Sequence, residues 1–245
     1  MAAHLARRLL AEFTGTALLV TAVVGSGIMA TRLSPDDVGL QLLQNSTATV
    51  FALAVLILVF GPVSGAHFNP VVTAADWWLH RGRPGAPTLA DVGAYTVAQA
   101  AGAVGGSLLA GAMFEVPLGM SGTVRDAPNL WLGESVATAG LILLVFALAR
   151  SGRAAVAAPA VGAYIGAAYW FTSSTSFANP AVTLGRAFTD TFAGIAPASV
   201  PAFVAAQLVG ALVGTGLVLA LYPAAADRAA AATASTTRPL QRRPV

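Results

Sequence analysis

Two asparagine–proline motifs carry the most distinctive polar chemistry of the sequence. Residues 64–73 read Ser-Gly-Ala-His-Phe-Asn-Pro-Val-Val-Thr, and residues 174–183 read Ser-Thr-Ser-Phe-Ala-Asn-Pro-Ala-Val-Thr. Asparagine is a strong N-cap, and proline suits the first helical position, where its missing N–H would have no partner anyway. Each asparagine would therefore hold an amide N–H₂ at the positive end of a helix dipole, where it can donate to an uncharged polar molecule.

The helices that these motifs begin are too short to cross a membrane. The apolar runs from Asn69 to His80 and from Asn179 to Asp190 each predict a helix of about 18 Å, whereas a hydrocarbon core is about 30 Å thick. Irregular backbone at membrane depth persists only where protein or a water-filled cavity satisfies its polar groups. One such motif alone would be an ordinary N-cap, but two predict re-entrant half-helices beside a pore or an internal site.

The composition is that of a membrane protein. Of 245 residues, 56% are hydrophobic and only 9% are charged, against about a quarter charged in soluble domains. The absence of cysteine excludes disulfides, thiolate metal sites and cysteine nucleophiles. His4, His67 and His80 lack metal-ligand spacing, and the 13 basic residues, all arginine, are dispersed. We therefore expect no metal, no cofactor and no nucleic-acid partner.

Six apolar segments are long enough to span a bilayer. They are residues 6–30, 41–61, 89–113, 131–150, 155–172 and 201–222. The first begins with Arg7 and Arg8, as signal peptides begin with basic residues, but it contains Glu12 and precedes no convincing cleavage site, so we interpret it as a span. The predicted fold class is an all-α membrane protein with six transmembrane helices and two re-entrant half-helices. One domain, residues 1–222, would precede a disordered cytoplasmic tail, residues 223–245.

Arginine placement predicts the orientation. With a cytoplasmic N-terminus, ten arginines lie inside and three lie outside, which the positive-inside rule favours. The inside set is Arg7, Arg8, Arg81, Arg83, Arg150, Arg153, Arg228, Arg238, Arg242 and Arg243, and the outside set is Arg32, Arg125 and Arg186. Six spans then place both termini in the cytoplasm. The half-helices enter from opposite sides and meet near the midplane.

The two halves of the chain repeat one another. Segments 12–16 and 134–138 both begin with glutamate and end with threonine, and segments 98–102 and 206–210 both begin with Ala-Gln and end with glycine. Each repeat, about 5–113 and 131–222, has three spans, so the second must be inverted relative to the first. Inverted repeats with discontinuous helices are a transport architecture.

Glu12 and Glu134 place carboxylates within apolar spans, where they are costly and usually face the protein interior. A proton relay is one interpretation. The favoured interpretation is that each glutamate accepts hydrogen bonds from backbone N–H groups of a re-entrant loop and orients it. His67 is interpreted in the same way, as a loop-orienting residue whose carbonyl faces the pore, rather than as a metal ligand.

The chain resembles the aquaporin family of major intrinsic proteins. The resemblance covers about residues 5–222 and is carried by the opening 11–16, the segment 64–73, Gln99, Glu134 and the second motif. It identifies Asn69-Pro70-Val71 and Asn179-Pro180-Ala181 as pore motifs. It implies passive movement of uncharged solutes without proton conduction, and a homotetramer with one pore in each subunit.

The expected selectivity filter departs from the family. Aquaporins and most glycerol channels have arginine three residues after the second asparagine, where this chain has Val182. Family offsets place the other filter positions at Thr49, Ala167 and Ser176. All four residues are small and uncharged, so we expect a wide, arginine-free filter. Arg186 follows Val182 by one turn and would either hang over the vestibule or pair with Asp190 at i+4.

These features predict a passive channel for small neutral solutes in the lipid of the cell inner (plasma) membrane. Water, glycerol and urea are the default solutes. Arsenous acid and methylated arsenicals are further candidates, because the filter resembles a bacterial subgroup associated with arsenic detoxification. A proton-coupled secondary transporter and an ion-conducting channel are alternatives on the same fold. We expect no enzyme, because the pore residues supply no nucleophile and no acid–base pair.

Overall fold

The computed structural model describes residues 2–223, which form eight α-helices and no strand. In chain order these are α1 (Ala2–Leu33), α2 (Val38–Ser64), α3 (Pro70–His80), α4 (Leu89–Phe114), α5 (Pro128–Arg150), α6 (Ala157–Phe171), α7 (Pro180–Gly185) and α8 (Val200–Leu221). Short 3₁₀ turns cover Ala154–Val156, Arg186–Phe188 and Pro197–Ser199. Beyond Pro223, the predicted tail lies outside the described residues.

Six helices of the described chain are long and apolar enough to cross a membrane. They are α1, α2, α4, α5, α6 with its preceding 3₁₀ turn, and α8 with its preceding 3₁₀ turn. The two short helices, α3 and α7, each begin at the proline of an asparagine–proline motif. The predicted all-α fold of six spans and two half-helices is therefore confirmed.

The second half-helix is shorter than the sequence predicts. The run from Asn179 was expected to stay helical to Asp190, but α7 ends at Gly185 and its 3₁₀ continuation ends at Phe188. The hydroxyl of Ser107 on α4 donates to the Gly185 carbonyl at 2.7 Å. This bond fixes the last residue of α7 against α4.

Corresponding helix pairs in the two halves pack closely at glycines. Helix α1 packs on α4, and α5 packs on α8. A Cβ atom at Gly102 would lie 2.3 Å from the Phe13 carbonyl oxygen, and one at Gly210 would lie 2.4 Å from the Ser135 carbonyl oxygen. Small residues allow such backbone approach in membranes. These two pairs carry the glutamates and glutamines that hold the loops.

Candidate pore and its two asparagine motifs

The first re-entrant loop is held by the buried carboxylate of Glu12. One oxygen accepts from the backbone N–H of His67 at 3.0 Å and from the Ser64 hydroxyl at 2.6 Å. The other accepts from the backbone N–H of Phe68 at 2.7 Å and from the Gln99 amide at 2.8 Å. Hydrogen bonds to an ionised acceptor are stronger than neutral ones. Glu12 therefore joins α1, α2, α4 and the loop at one point.

The second loop repeats this arrangement around Glu134, which is also fully buried. Its carboxylate accepts from the backbone N–H groups of Phe177 and Ala178, both at 2.8 Å. The Gln207 amide on α8 donates to the same carboxylate at 2.6 Å. The structure thus places both glutamates where the sequence suggested, against the backbone N–H groups of a re-entrant loop.

Both loops use a left-handed backbone that side chains rarely adopt. Ala66 and Phe68 have φ of 50° in the first loop, and Ser176 and Ala178 have φ of 50° and 48° in the second. Each such residue costs about 1–3 kcal/mol and persists only where its surroundings over-determine it. The hydrogen bonds to the two glutamates supply that constraint.

The two asparagines bond across to the opposite loop. The Asn69 amide donates to the Ala178 carbonyl at 2.8 Å, and the Asn179 amide donates to the Phe68 carbonyl at 2.7 Å. We call this pair of bonds the asparagine latch. Each amide carries two N–H groups, so the latch uses one and leaves one. Both asparagines line the cavity described below.

The remaining motif residues begin the half-helices. The side-chain oxygen of Asn69 accepts from the backbone N–H of Val71 at 3.1 Å, and that of Asn179 accepts from the N–H of Ala181 at 2.9 Å. The prolines, Pro70 and Pro180, occupy the first helical positions. Val71 and Ala181 do not line the cavity; they pack in the core.

A cavity of about 250 Å³ passes both asparagines. Its walls between the ends are largely apolar, with Leu19, Val23, Leu53, Ile57, Leu141, Val145, Phe146, Val161 and Ile165. The order of the helices places Asp76, His80, Ala149 and Ala157 at one end, near the C-termini of α3 and α5 and the start of α6. The other, which we call the Arg186 end, is lined by Thr49, Tyr169, Ser176, Val182 and Arg186. His67 lines the cavity between them, and its ring Nδ1 lies 3.1 Å from the Thr73 hydroxyl.

The structure brings three of the four expected filter residues together and corrects the fourth. Thr49, Ser176 and Val182 line the Arg186 end, but Ala167 is exposed and does not line the cavity. Tyr169 does so instead, with its hydroxyl 3.2 Å from the Thr49 hydroxyl. Ala167 and Tyr169 are two residues apart, which is a rotation of about 200° around the helix. An error of two positions in counting from the family motif therefore selects a residue on the opposite face of α6. The sequence feature that could have identified Tyr169 is that it is a polar aromatic residue near the end of an alanine-rich span.

The contacts of Arg186 distinguish between its two expected positions, over the vestibule or paired with Asp190. Its side chain is only 3% exposed, and its Nε donates to the Ala193 carbonyl. Its guanidinium carbon lies 3.4 Å from the centroid of the Phe177 ring. The expected partner, Asp190, instead accepts from the backbone N–H of Gly122 at 2.9 Å. Of the two expected positions, the contacts therefore favour the one in which Arg186 reaches the cavity, where it is a lining residue together with Val182.

A second arginine, which the sequence analysis did not select, approaches the same aromatic ring. Arg125 donates from Nε to the Gly194 carbonyl at 3.0 Å, and its guanidinium carbon lies 5.1 Å from the Phe177 centroid. Burial lowers the pKa of the Arg125 guanidinium. Within residues 2–223, neither arginine has a carboxylate oxygen within 4.0 Å. The one sequence feature that pointed to Arg125 is that it and Arg186 are both predicted to lie on the outer side of the membrane.

Comparisons with known proteins find one family for this chain. A family model described as Major intrinsic protein matches residues 1–178. The Aquaglyceroporin AqpS of Rhizobium meliloti (strain 1021) is 52% identical over 214 residues, covering 87% of this chain and 89% of that protein. A "Probable aquaporin TIP-type" of Medicago truncatula is 36% identical over 191 residues, 73% of each chain. The X-ray structure of the aquaglyceroporin from Plasmodium falciparum shares the fold, with a TM-score of 0.66 at 20% identity, covering 87% of this chain and 95% of that one.

Proposed function

The chain belongs to the major intrinsic protein family, and from this premise we propose that solutes pass through the cavity beside the asparagine latch and are selected at its Arg186 end. It is an integral membrane protein and a passive channel for water and small solutes, not an enzyme. The observation that carries the residue-level proposal is the reciprocal latch in the wall of a continuous cavity.

The latch gives a mechanism for passing neutral molecules without protons. Each latched amide keeps one N–H group, and both half-helices point their positive dipole ends at the same region. An oxygen that accepts from both asparagines turns its own protons away from the latch. A chain of proton-conducting waters is interrupted there, and the dipole ends repel cations.

The Arg186 end suits solutes with several oxygen atoms. Thr49, Tyr169 and Ser176 offer hydroxyls, Arg186 offers N–H donors, and Val182 leaves an apolar side. We propose glycerol and urea as solutes beside water, and the name of the relative in Rhizobium meliloti supports a polyol. Arsenous acid is a further candidate because it is polyol-like and uncharged at neutral pH. Methylated arsenicals are candidates because they are wider and more apolar than glycerol, as suits a wide and partly apolar site.

We further propose a homotetramer in the inner (plasma) membrane with both termini in the cytoplasm. The apolar outer faces of the helices fit contact with lipid and with neighbouring subunits, and the arginine distribution supports the orientation. Residues 1–222 would then form one channel domain of two repeats, with the Arg186 end outside and residues 223–245 as a cytoplasmic tail. Cross-linking in native membranes and accessibility labelling test these points.

The decisive experiment is stopped-flow permeability of proteoliposomes containing wild type, Val182→Arg or Val182→Leu. The arginine variant should lower glycerol, urea and arsenical permeability by about tenfold, which requires only about 1.4 kcal/mol of added barrier, and should lower water permeability less. The leucine variant controls for side-chain bulk without charge. Identical permeabilities in wild type and Val182→Arg would show that the filter lies elsewhere. Glycerol flux that requires a pH gradient would instead indicate a proton-coupled transporter.

A further inference from the structure

Arg186 holds a buried positive charge, and no carboxylate oxygen of the described chain lies within 4.0 Å of its nitrogens. A guanidinium has five N–H donors, but only the Nε–H of Arg186 has a protein acceptor within residues 2–223, the Ala193 carbonyl. The four N–H groups of its terminal nitrogens have none. Burial of an unpaired charge is costly, and Arg186 lines the cavity. Those donors are therefore available to an oxygen in the cavity.

The guanidinium is fixed in place before any ligand arrives. The Ala193 carbonyl fixes its Nε, and the Phe177 ring stacks against it at 3.4 Å. Phe177 is itself anchored, because its backbone N–H donates to Glu134. A rigid planar fork of donors matches two oxygens of one oxyanion and pays little ordering entropy on binding.

The surroundings of this fork are also those of an anion site. The Ser176 hydroxyl is buried and lacks a partner in the described part of the chain, although it lines the same end of the cavity. Arg125 adds a second positive charge near the Phe177 ring. Val182 supplies an apolar wall. Among the described residues, no acidic side chain lines the Arg186 end; Asp76 lies near the C-terminus of α3, and the buried carboxylate of Glu134 is already held by Phe177, Ala178 and Gln207.

We propose that the Arg186 end is a binding site for a small monovalent oxyanion with a short apolar group. Two of the anion's oxygens bind the terminal nitrogens of Arg186, Ser176 donates to an oxygen, and the apolar group contacts Val182. The site lies in the solute path, so a bound anion slows the passage of neutral solutes. This inference rests on the proposed pore through the cavity and adds a ligand class to it.

The test measures glycerol permeability of full-length protein in proteoliposomes equilibrated with sodium methanesulfonate. Methanesulfonate stays ionised at neutral pH and carries a methyl group. Dimethyl sulfone is its uncharged analogue of similar size, and sodium chloride at the same concentration controls for ionic strength. Methanesulfonate should inhibit glycerol flux saturably, by at least about twofold, whereas dimethyl sulfone and chloride should not. The half-inhibitory concentration should rise about tenfold or more in Arg186→Gln, as expected for loss of charge-assisted hydrogen bonds.

Arg32→Gln is the matched control. Arg32 also lies near a phenylalanine ring, 5.3 Å from the Phe114 centroid, and donates to a backbone carbonyl, but it is exposed and does not line the cavity. Its substitution should leave inhibition unchanged. Equal inhibition by methanesulfonate and dimethyl sulfone, or wild-type inhibition in Arg186→Gln, would overturn the proposal.

A second measurement separates this inference from the function on which it rests. Absence of glycerol flux in the wild type would refute the proposed solute class, and calorimetric titration of the detergent-solubilised wild type would then decide the anion site. The same titration applies if Arg186→Gln fails to fold. Saturable heat with methanesulfonate but not with dimethyl sulfone supports the site, and no heat with either overturns it.

Discussion

Replacing Glu134 with glutamine should loosen the second re-entrant loop without changing the shape of the side chain. In the wild type, the carboxylate accepts from the backbone N–H groups of Phe177 and Ala178 at 2.8 Å and from the Gln207 amide at 2.6 Å. Glutamine offers one oxygen and one N–H₂ group. Even if its oxygen keeps the bonds to Ala178 and Gln207, its N–H₂ group then faces the N–H of Phe177, donor against donor.

The cost follows from these contacts. One orphaned buried donor costs about 1–3 kcal/mol, and each of the two retained bonds weakens by about 1 kcal/mol when the acceptor loses its charge. The sum is about 3–5 kcal/mol. For a protein of this size, about 2–4 °C of melting temperature corresponds to 1 kcal/mol. The thermal midpoint should therefore fall by roughly 6–20 °C.

Fluorescence-monitored thermal unfolding in detergent measures this loss, and stopped-flow glycerol permeability measures its effect on the pore. Permeability should also fall, because Ala178 is the acceptor for Asn69 in the asparagine latch. Glu115→Gln is the control, since Glu115 is exposed beyond the end of α4. A midpoint within about 2 °C of wild type for Glu134→Gln, together with unchanged permeability, would refute the anchoring role of this carboxylate.

Two further predictions use the same assays. Gly102→Ala should lower the thermal midpoint by about 2–12 °C, because its Cβ would lie 2.3 Å from the Phe13 carbonyl oxygen and overpacking costs about 1–3 kcal/mol. Gly105→Ala is the control and should leave the midpoint unchanged, because its Cβ would meet no atom closer than 4.0 Å. Equal losses in the two variants would contradict the close packing of α1 and α4. Mercuric chloride should leave wild-type glycerol flux unchanged, because the chain has no cysteine. It should block the Ser176→Cys variant, and a thiol reagent should reverse that block. A block of the wild type that a thiol reagent reverses would contradict this prediction.

The architecture could be predicted because the membrane restricts what a chain can do. Every span must satisfy its own backbone, so hydropathy alone identifies six helices. A helix that is half as long as the bilayer, repeated with the same asparagine–proline start, requires re-entry from both sides. The role of the two buried glutamates could also be predicted. A carboxylate in an apolar span needs hydrogen-bond donors, and the backbone N–H groups of a re-entrant loop need acceptors.

The surroundings of Arg186 could not be predicted in this way. The proposed pairing with Asp190 assumed that one helix continues through both residues, but the 3₁₀ turn ends at Phe188, so i+4 spacing no longer places them on one face. Ser107 bonds to the end of the helix, and Ala193 and Phe177 hold the arginine. These contacts are tertiary and leave no periodic pattern in the sequence. Ala167 failed for a related reason, since counting offsets does not fix helix rotation.

The reciprocity of the asparagine latch has a consequence for biogenesis. Asn69 donates to the carbonyl of Ala178, which is synthesised 109 residues later. At about 5–20 residues per second, this bond can form only after a delay of roughly 5–20 s. During that interval the half-helix of the N-terminal half is held only by contacts within that half, among them those of Glu12 and Gln99. Neither half can therefore complete its own pore wall, and fragments split between α4 and α5 should yield an active channel only when both are produced in the same cell.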